Sequence, residues 1–321
     1  MHISITRRTL LRLAGVATLS AAAVAAARAE GIVAGTQPLF ALTTPMHVRD
    51  VTLRVRDLAN MTAYYRFVLG LEVIREAEGG VELGAGGVTL LTLVQSAGAA
   101  IEPRSSAGLY HTAFLMPSRE DLARWLVHAA AIQVPITGFA DHRVSEAVYL
   151  DDPEGNGIEV YSDRPESEWL WVGKEVMMGT EQIDMEGLLA LADLERDEYT
   201  AVPPGLRIGH IHLRAGNIDD ARSFYAAALG LEITAGRDNA VFLSSGGYHH
   251  HLALNTWESA GAGPRDLTTT GLVRFSLALA DDALLTTRRE SLVAAGHPVT
   301  ETNDGLALAD PWGTQVRLLL A

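Results

Sequence analysis

The chain repeats itself: two stretches of its 321 residues align at an offset of 160 positions, so that residue 51 matches residue 211. Residues 51–72 (VTLRVRDLANMTAYYRFVLGLE) and 211–232 (IHLRAGNIDDARSFYAAALGLE) both read as strand, helix, an LGLE turn and strand. A second pair of similar units begins at Gly108 and at Gly271 and ends in DPEG and DPWG turns. A repeat of this kind marks a structural unit that recurs in the fold. The pattern predicts four βαβββ units.

The four units form two tandem domains, predicted at residues 46–162 and 206–321. Residues 163–205 join them, with an acidic helix-like stretch over 184–196 and a Pro-Pro pair that ends it. A strand–helix–three-strand unit cannot bury both its helix and its sheet face alone. We therefore expect an α+β fold in which paired units curl into half-barrel cups, and each cup is a place for chemistry.

The first 29 residues read as an export signal rather than as part of the fold. Residues 6–11 (TRRTLL) carry a twin-arginine pattern, an apolar run follows over 13–27, and Ala27-Arg28-Ala29 offers a small-x-small cleavage site. The run is shorter than the roughly 20 residues that span a bilayer. The segment predicts export by the twin-arginine route to the periplasm or beyond, with no stable membrane association after cleavage.

Composition excludes several classes of partner. The net charge is −14, and no Lys/Arg-rich run interleaved with aromatic residues is present, which argues against nucleic acid and anionic membrane surfaces. The chain has no cysteine, so an exported form has no disulfides and depends on its cores and on any bound metal. The sequence leaves the oligomeric state open, and a homo-oligomer is compatible with it.

The segment 141–161, DHRVSEAVYLDDPEGNGIEVY, reads as a strand, a tight polar turn and a second strand that carries Glu159. Glu159 lies between Ile158 and Val160, so its side chain points away from two apolar neighbours. A carboxylate in a half-buried strand is costly unless a charged group meets it. Two imidazoles in strand-like surroundings, His111 in GLYHTAF and His210 in GHIHL, are candidates. Two imidazoles and one carboxylate form the triad that holds non-haem Fe(II) and leaves positions open.

The repeat allows equivalent positions to be compared across the four units. Metal-ligating residue types are concentrated in units two and three, whereas units one and four carry groups that cannot form a divalent-metal site. The first-strand and last-strand positions are Asp50 and Leu90 in unit one, His111 and Glu159 in unit two, His210 and His249–His251 in unit three, and Arg274 and Arg317 in unit four.

This distribution predicts how the units pair. If units pair within each domain, neither cup contains a complete triad. If units two and three pair across the linker, His111, Glu159 and His210 converge in one cup. We expect the second arrangement, because it alone brings all three ligands together. The outer cup of units one and four is then vestigial, and we expect Arg274 and Arg317 to be salt-bridged structural groups there rather than an anion site.

Beyond residue 46 the chain resembles the vicinal oxygen chelate superfamily and, within it, two-domain catechol 2,3-dioxygenase-like type I extradiol dioxygenases. The specific motif is HxVS…VYLxDPxGxxIEVY, found here from His142 to Tyr161, together with GLYHTAF, GHIHL and HHxLA. The resemblance implies that His111, His210 and Glu159 ligate Fe(II), with Mn(II) as the other metal compatible with this set. It also implies that His250 is the acid–base group and that His142 and Tyr149 hydrogen-bond the substrate oxygen.

The prediction is therefore an Fe(II)-dependent extradiol dioxygenase that cleaves a catechol-type aromatic diol with O₂. One alternative is a glyoxalase- or epimerase-like enzyme that uses Zn²⁺, Ni²⁺ or Mn²⁺ without oxygen and takes a fourth ligand from His249 or His251. Another is a non-catalytic ligand-binding protein of the same fold. His212, two residues after His210, is read as an ordinary surface or hydrogen-bonded histidine.

Overall fold

The computed structural model describes residues 3–4, 38–192 and 199–321, and in them each of the four repeats folds as a βαβββ unit. Unit one consists of β2 (Met46–Val55), α1 (Leu58–Val68), β3 (Glu72–Ala77), β4 (Gly80–Ala85) and β5 (Val88–Gln95). Unit two consists of β6 (Gly108–Leu115), α2 (Arg119–Ala131), β8 (Gly138–Asp141), β9 (Ser145–Asp151) and β10 (Gly157–Asp163). The short strand β7 (Pro135–Ile136) pairs with β1 (Ile3–Ser4).

Units three and four repeat this order after the linker. Unit three consists of β13 (Arg207–Arg214), α4 (Ile218–Ala221, continued as a π-helix over Arg222–Ala228), β14 (Glu232–Arg237), β15 (Ala240–Ser244) and β16 (Leu252–Asn255). Unit four consists of β17 (Gly271–Leu279), α5 (Asp282–Ala294), β18 (Thr300–Thr302), β19 (Gly305–Ala309) and β20 (Gln315–Leu320). The predicted α+β class with four βαβββ units is confirmed.

The units pair across the linker, as predicted. One eight-stranded sheet runs β14-β15-β16-β13-β6-β10-β9-β8 and so joins units two and three. The other runs β18-β19-β20-β17-β2-β5-β4-β3 and joins units one and four. In each sheet the two central strands are antiparallel first strands of their units, β6 with β13 and β2 with β17. Each sheet therefore takes half of its strands from each domain of the sequence.

Helix boundaries follow from local sequence. The four long helical segments each begin after a polar N-cap whose side chain accepts a backbone N–H of the first turn, at Asp57, Ser118, Asn217 and Asp281. The LGLE turns end α1 and α4 at glycines with φ of +77° (Gly70) and +82° (Gly230), a conformation that glycine adopts without a Cβ penalty. These signals recur because the unit recurs.

The helices cover the outer faces of both sheets and share one continuous apolar core. Trp125 of α2 is fully buried and donates its indole N–H to the carbonyl of Val68 at the end of α1, with an N···O distance of 2.9 Å. A hydrogen bond between their helices therefore joins units one and two, which belong to different sheets.

A buried ion cluster also joins the two sheets. Glu102, in the loop between β5 and β6, accepts hydrogen bonds from Arg214 at the end of β13 and from Arg265 in the loop before β17. Both guanidinium groups are buried, with side-chain exposures of 7% and 3%. One carboxylate thus forms ion pairs with two arginines, Arg214 from unit three and Arg265 from the loop that leads into unit four.

The linker contains more structure than the sequence indicated. It forms a 3₁₀ turn (Glu166–Glu168), a two-strand hairpin of β11 (Trp171–Val172) and β12 (Glu175–Val176), and a short helix α3 (Met185–Leu189). The helix predicted over 184–196 is therefore shorter within the described part, and residues 193–198 lie outside it. Apart from residues 3–4, the predicted export signal also lies outside the described residues. None of the described helices is long and apolar enough to span a membrane.

Candidate metal centre

Three buried side chains from three strands converge in the cup of units two and three. His111 on β6, Glu159 on β10 and His210 on β13 each offer one ligand atom, and these atoms lie within 4.8 Å of one another. Oε2 of Glu159 lies 3.0 Å from Nε2 of His111 and 3.2 Å from Nε2 of His210. Within the described ranges no other His, Asp or Glu belongs to the cluster. The cross-linker pairing brings the predicted triad together.

Sheet register explains why these side chains share a face. Ala113 is the Cα partner of Glu159 on one side and of His210 on the other. His111, two residues before Ala113, projects from the same face because side chains alternate along a strand. The small side chain of Ala113 leaves the centre of the face to its three larger neighbours.

A glycine permits the close approach of β10 to β6 at this point. Gly157 is the Cα partner of His111, and a Cβ on Gly157 would lie 2.1 Å from the carbonyl oxygen of Tyr110. That obstacle is backbone, which cannot rotate away. The glycine that ends the DPEGNG turn therefore fixes the distance between the strands that carry His111 and Glu159.

Glu159 and His210 are held in the protonation states that metal binding needs. Burial would raise the pKa of Glu159, but the nearby His210 and His111 outweigh it and hold that pKa well below its usual value. Burial lowers the pKa of His210 to about 4, although Glu159 acts in the opposite direction. At neutral pH the centre therefore offers a carboxylate and a neutral His210 imidazole, the forms in which these groups coordinate a metal.

An unsatisfied polar atom of His111 also fits a cation at this position. Nε2 of His111 is buried and makes no hydrogen bond of proper geometry, although it lies 3.0 Å from the carboxylate oxygen. Nε2 of His210 points at the same carboxylate oxygen, at 3.2 Å. Buried polar atoms are normally paired. Lone pairs of two imidazoles that point at one carboxylate oxygen are explained when a cation lies among them.

Beside the triad, His142 and Tyr149 form a hydrogen-bonded pair. Nδ1 of His142 donates to the carbonyl of Gly179 over 2.6 Å, which leaves Nε2 to accept from the Tyr149 hydroxyl, also at 2.6 Å. Burial, followed by the charge of Glu159, raises the pKa of Tyr149 well above its usual value. Tyr149 is also the Cα partner of Glu159. The pair thus presents a neutral phenol next to the predicted ligand carboxylate.

The three consecutive histidines do not lie on a strand, contrary to the sequence interpretation, because β16 begins only at Leu252. His250 lines the cavity, with its ring centroid 4.2 Å from that of His210. His251 is fully buried and structural: its Nδ1 accepts from the backbone N–H of Ser245, and its Nε2 donates to the carbonyl of Ala41. His249 is fully buried and contacts Asp163 and His250.

The glyoxalase-like alternative takes a fourth metal ligand from His249 or His251, and the contacts of these two histidines do not favour it. Both ring nitrogens of His249 and both of His251 have partners in the structure. Neither histidine belongs to the cluster that His111, Glu159 and His210 form within the described residues.

His212 is neither a surface residue nor a ligand of the triad. It is 4% exposed, lies opposite His111 as its Cα partner, and has its Nε2 hydrogen-bonded to the amide of Asn255 at 2.9 Å. Burial, with the neighbouring His111 and His210, lowers the pKa of His212 well below its usual value. His212 therefore forms part of the cavity wall as a neutral imidazole: of the two roles that the sequence left open, the hydrogen-bonded one is confirmed and the surface one is wrong.

The triad faces a cavity of about 670 Å³. Its wall is largely aromatic on one side, where Tyr110, Trp257 and Phe242 lie, and includes Phe139 on the other. Residues 175–180 of the linker close a further side. Sequence reasoning missed this contribution of the linker, because the short hairpin has no chemical motif and acquires its role only by packing.

The outer cup of units one and four differs as predicted. Asp50 accepts a hydrogen bond from Ser276, and burial raises its pKa. Arg317 lies 3.6 Å from Asp304, which agrees with the expected salt bridge. For Arg274 no salt bridge is seen among the described residues, although its charge favours the ionised form of the neighbouring Asp50 and Glu82 carboxyls, and its Nε is buried without a hydrogen-bond partner. Among the described residues this cup contains no metal-type cluster.

Comparison with known proteins shows to which protein family the chain belongs. The chain matches the Glyoxalase/Bleomycin resistance protein/Dioxygenase superfamily over residues 47–160 and 207–318, and it belongs to that family. It is 38% identical over 275 residues to the catechol-2,3-dioxygenase of Bacillus subtilis (strain 168), an alignment that covers 83% of this chain and 94% of that protein.

Solved structures of low sequence identity share the fold. Glyoxalase I from Zea mays matches with a TM-score of 0.54 and 14% identity, over 87% of this chain and 94% of that one. The cppA protein from Streptococcus pneumoniae TIGR4 matches with a TM-score of 0.52 and 13% identity, over 86% of this chain and 99% of that one. At these identities the two matches support the fold alone.

Proposed function

We propose that this protein is an Fe(II)-dependent extradiol dioxygenase that cleaves the ring of a catechol-type aromatic diol with O₂. The observation that carries the proposal is the convergence of His111, His210 and Glu159 at the base of a cavity that His142, Tyr149 and His250 also line. The 38% identity to a catechol-2,3-dioxygenase supports the same reaction.

The three ligand atoms of His111, His210 and Glu159 favour Fe(II) as the bound metal. Two imidazole nitrogens and one carboxylate oxygen on one side of an ion are typical of non-haem Fe(II) oxygenases and leave several coordination positions open. Mn(II) accepts the same ligands and is the second candidate. When bound, the metal would act as a Lewis acid on the two substrate oxygens and would orient substrate and O₂ beside each other.

The surrounding side chains would manage the protons. His250 contacts the ring of His210 and faces the cavity, where it is placed to accept a proton from a catechol hydroxyl and to return it later. The Tyr149 oxygen, whose proton is donated to His142, would accept a hydrogen bond from a substrate hydroxyl. Tyr110, Trp257 and Phe242 provide an apolar wall suited to a small aromatic ring and help to exclude water.

A metal-dependent isomerase or lyase without oxygen chemistry is less well supported. It would need a fourth protein ligand for its metal, and the two histidines considered for that role are engaged elsewhere. A purely ligand-binding protein would not need a hydrogen-bonded His142–Tyr149 pair beside the triad. No specific feature of the described residues favours either alternative.

Oxygen consumption tests the proposal directly. Protein loaded anaerobically with Fe(II) is mixed with catechol, and O₂ uptake and the absorbance of the yellow ring-fission product are followed. We expect both signals in the wild type and neither in the His111→Ala and Glu159→Ala variants. Stoichiometric metal without O₂ uptake over a panel of catechols would contradict the dioxygenase proposal, and absence of bound metal would contradict the centre itself.

We also propose that residues 1–29 direct export by the twin-arginine route. The paired arginines of residues 6–11 and the Ala27-Arg28-Ala29 site support this. Expression of the full chain in a bacterium with a twin-arginine translocase should yield mature protein outside the cytoplasm that begins at Glu30, as intact-mass analysis would show. An Arg7→Lys, Arg8→Lys variant that is exported equally well would overturn the proposal.

A further inference from the structure

A series of side chains in contact with one another extends from the cavity into the protein behind the triad. Along β10, residues 157, 159, 161 and 163 project from the same face because strand side chains alternate. Glu159 reaches the metal centre, Tyr161 packs its ring 4.9 Å from that of His210, and Asp163 ends the strand. The carboxylate of Asp163 is therefore on the face of the active centre but beyond it.

Asp163 is joined to the cavity through two histidines. Its Oδ1 lies 2.9 Å from Nε2 of His249, and Nδ1 of His249 lies 2.8 Å from Nδ1 of His250. His249 is fully buried, and its ring is packed between Tyr248 and Trp169, with centroid distances of 4.0 and 5.1 Å. The aromatic neighbours restrict the His249 ring, so its two nitrogens keep these partners.

Proton positions follow from these contacts. A carboxylate only accepts, so the Nε2 of His249 must carry the proton that it donates to Asp163. With the ring proton of His249 on Nε2, its Nδ1 is an acceptor. The short Nδ1···Nδ1 contact therefore needs a proton on His250. With Nδ1 of His250 protonated, its Nε2 has a free lone pair, and within the described chain no residue hydrogen-bonds that atom.

We propose that Asp163 and His249 are positioning residues that fix His250 in its Nδ1–H tautomer, so that the basic Nε2 faces the cavity. This proposal rests on the proposed function only where it concerns turnover. In the Ser-His-Asp triad a carboxylate orients a catalytic imidazole in a comparable way. Here a second imidazole, that of His249, lies between the carboxylate and the base. The arrangement gives His249 a role beside His250 in the run of three histidines that precedes the strand.

The Asp163→Asn substitution tests the tautomer without removing any group of the cavity. The side-chain amide that this substitution introduces can donate to Nε2 of His249, which moves the His249 proton to Nδ1 and reverses the contact with His250. Long-range ¹H–¹⁵N spectra of full-length, metal-free protein labelled at histidine report the tautomer, and the His250→Gln spectrum assigns the signals. We expect His250 as Nδ1–H in the wild type and as Nε2–H in Asp163→Asn.

Turnover supplies a second readout. In Fe(II)-loaded Asp163→Asn, kcat for catechol should fall at least about 100-fold, the smaller end of what a positioned acid–base group contributes, while KM and bound iron stay close to wild type. Asp163→Glu, which restores a carboxylate, should recover part of the loss. Tyr248→Phe removes another donor to Asp163 Oδ1, at 3.2 Å, but keeps the carboxylate, so it should retain the wild-type tautomer and most of kcat.

The possible results distinguish failure of the positioning role from failure of the dioxygenase proposal. The same His250 tautomer in wild type and Asp163→Asn would overturn the positioning role, as would a switched tautomer with unchanged kcat. A tautomer switch in a protein that consumes no oxygen with any catechol would support the positioning arrangement and contradict the dioxygenase proposal. If Asp163→Asn does not fold, an Asp163→Glu protein with wild-type kcat but the Nε2–H tautomer of His250 would still overturn the role.

Discussion

Nε2 of His210 lies 3.2 Å from Oε2 of Glu159, although the two residues are 51 positions apart and belong to different repeats. The contact exists because β6 and β13 are adjacent antiparallel strands at the centre of one sheet. Either domain alone would contain only part of the triad. The metal centre is therefore a property of the paired units and depends on the linker that allows them to pair.

Removal of His210 should abolish tight metal binding. The His210→Ala variant leaves one imidazole and one carboxylate, so its metal affinity should fall by more than the roughly 10–100-fold that loss of a hydrogen-bond partner to a ligand costs. His212→Asn is the matched control: it removes a buried imidazole from the same strand but leaves the triad. Metal titration with competing chelator should separate them, and equal losses in both variants would contradict the assignment of His210.

The sequence predicted the pairing of units two and three because only that pairing unites His111, Glu159 and His210. The inference was available because the repeat made positions comparable between units. Residues 175–180 and Asp163 could not be assigned in the same way. The first segment is outside any repeat, and Asp163 acquires its role only through contact with His249, which depends on a loop conformation rather than on strand alternation.

Loss of the Tyr149 hydroxyl should slow turnover without loss of metal. Tyr149→Phe removes the donor to His142 Nε2 and leaves a buried imidazole nitrogen without its partner. We expect kcat to fall by about 10–100-fold, at or below the lower limit of what a general acid–base group contributes, with iron content unchanged. Tyr199→Phe is the control, because its hydroxyl donates to the carbonyl of Leu69, away from the cavity. Equal kcat in both variants would argue against a role for Tyr149.

The buried His251 should make stability depend on pH. Burial lowers its pKa to about 3 in the folded protein, against about 6.5 in the unfolded chain. Between these values the unfolded chain binds the extra proton, so the stabilisation is fully present above about pH 6.5 and is lost as pH falls towards about 3. The contribution to the slope is about 1.4 kcal/mol per pH unit.

Urea unfolding of metal-free protein at several values between pH 6 and pH 4 measures this slope. The His251→Gln variant should show a shallower loss of unfolding free energy than the wild type. Ser244→Ala, which removes a hydroxyl partner of His251 but keeps the imidazole, should retain the wild-type slope. Parallel slopes for wild type and His251→Gln would refute the assignment.

A methyl group on Gly157 should disturb both stability and the metal centre. The added Cβ would meet the backbone oxygen of Tyr110 at 2.1 Å and so would push β10 away from β6. We expect a loss of about 1–3 kcal/mol, typical of overpacking, together with weaker metal binding because Glu159 moves away from His111. Gly98→Ala is the control, since nothing lies within 4 Å of its Cβ position. Unaltered melting temperature and metal affinity in Gly157→Ala would be inconsistent with this tight strand contact.

The ion cluster around Glu102 should matter far more than exposed ion pairs do. Glu102→Gln removes the carboxylate that forms ion pairs with both Arg214 and Arg265, and both guanidinium groups stay buried. Breaking a buried ion pair by removal of one partner costs about 3–5 kcal/mol, whereas an exposed pair contributes about 0–1 kcal/mol. Glu301→Gln, whose pair with Arg289 is exposed, is therefore the control. Chemical denaturation should show a large loss only for Glu102→Gln. This cluster joins units three and four to the loop between units one and two. When the temperature is raised, oxygen uptake by Glu102→Gln should therefore be lost at a lower temperature than oxygen uptake by Glu301→Gln.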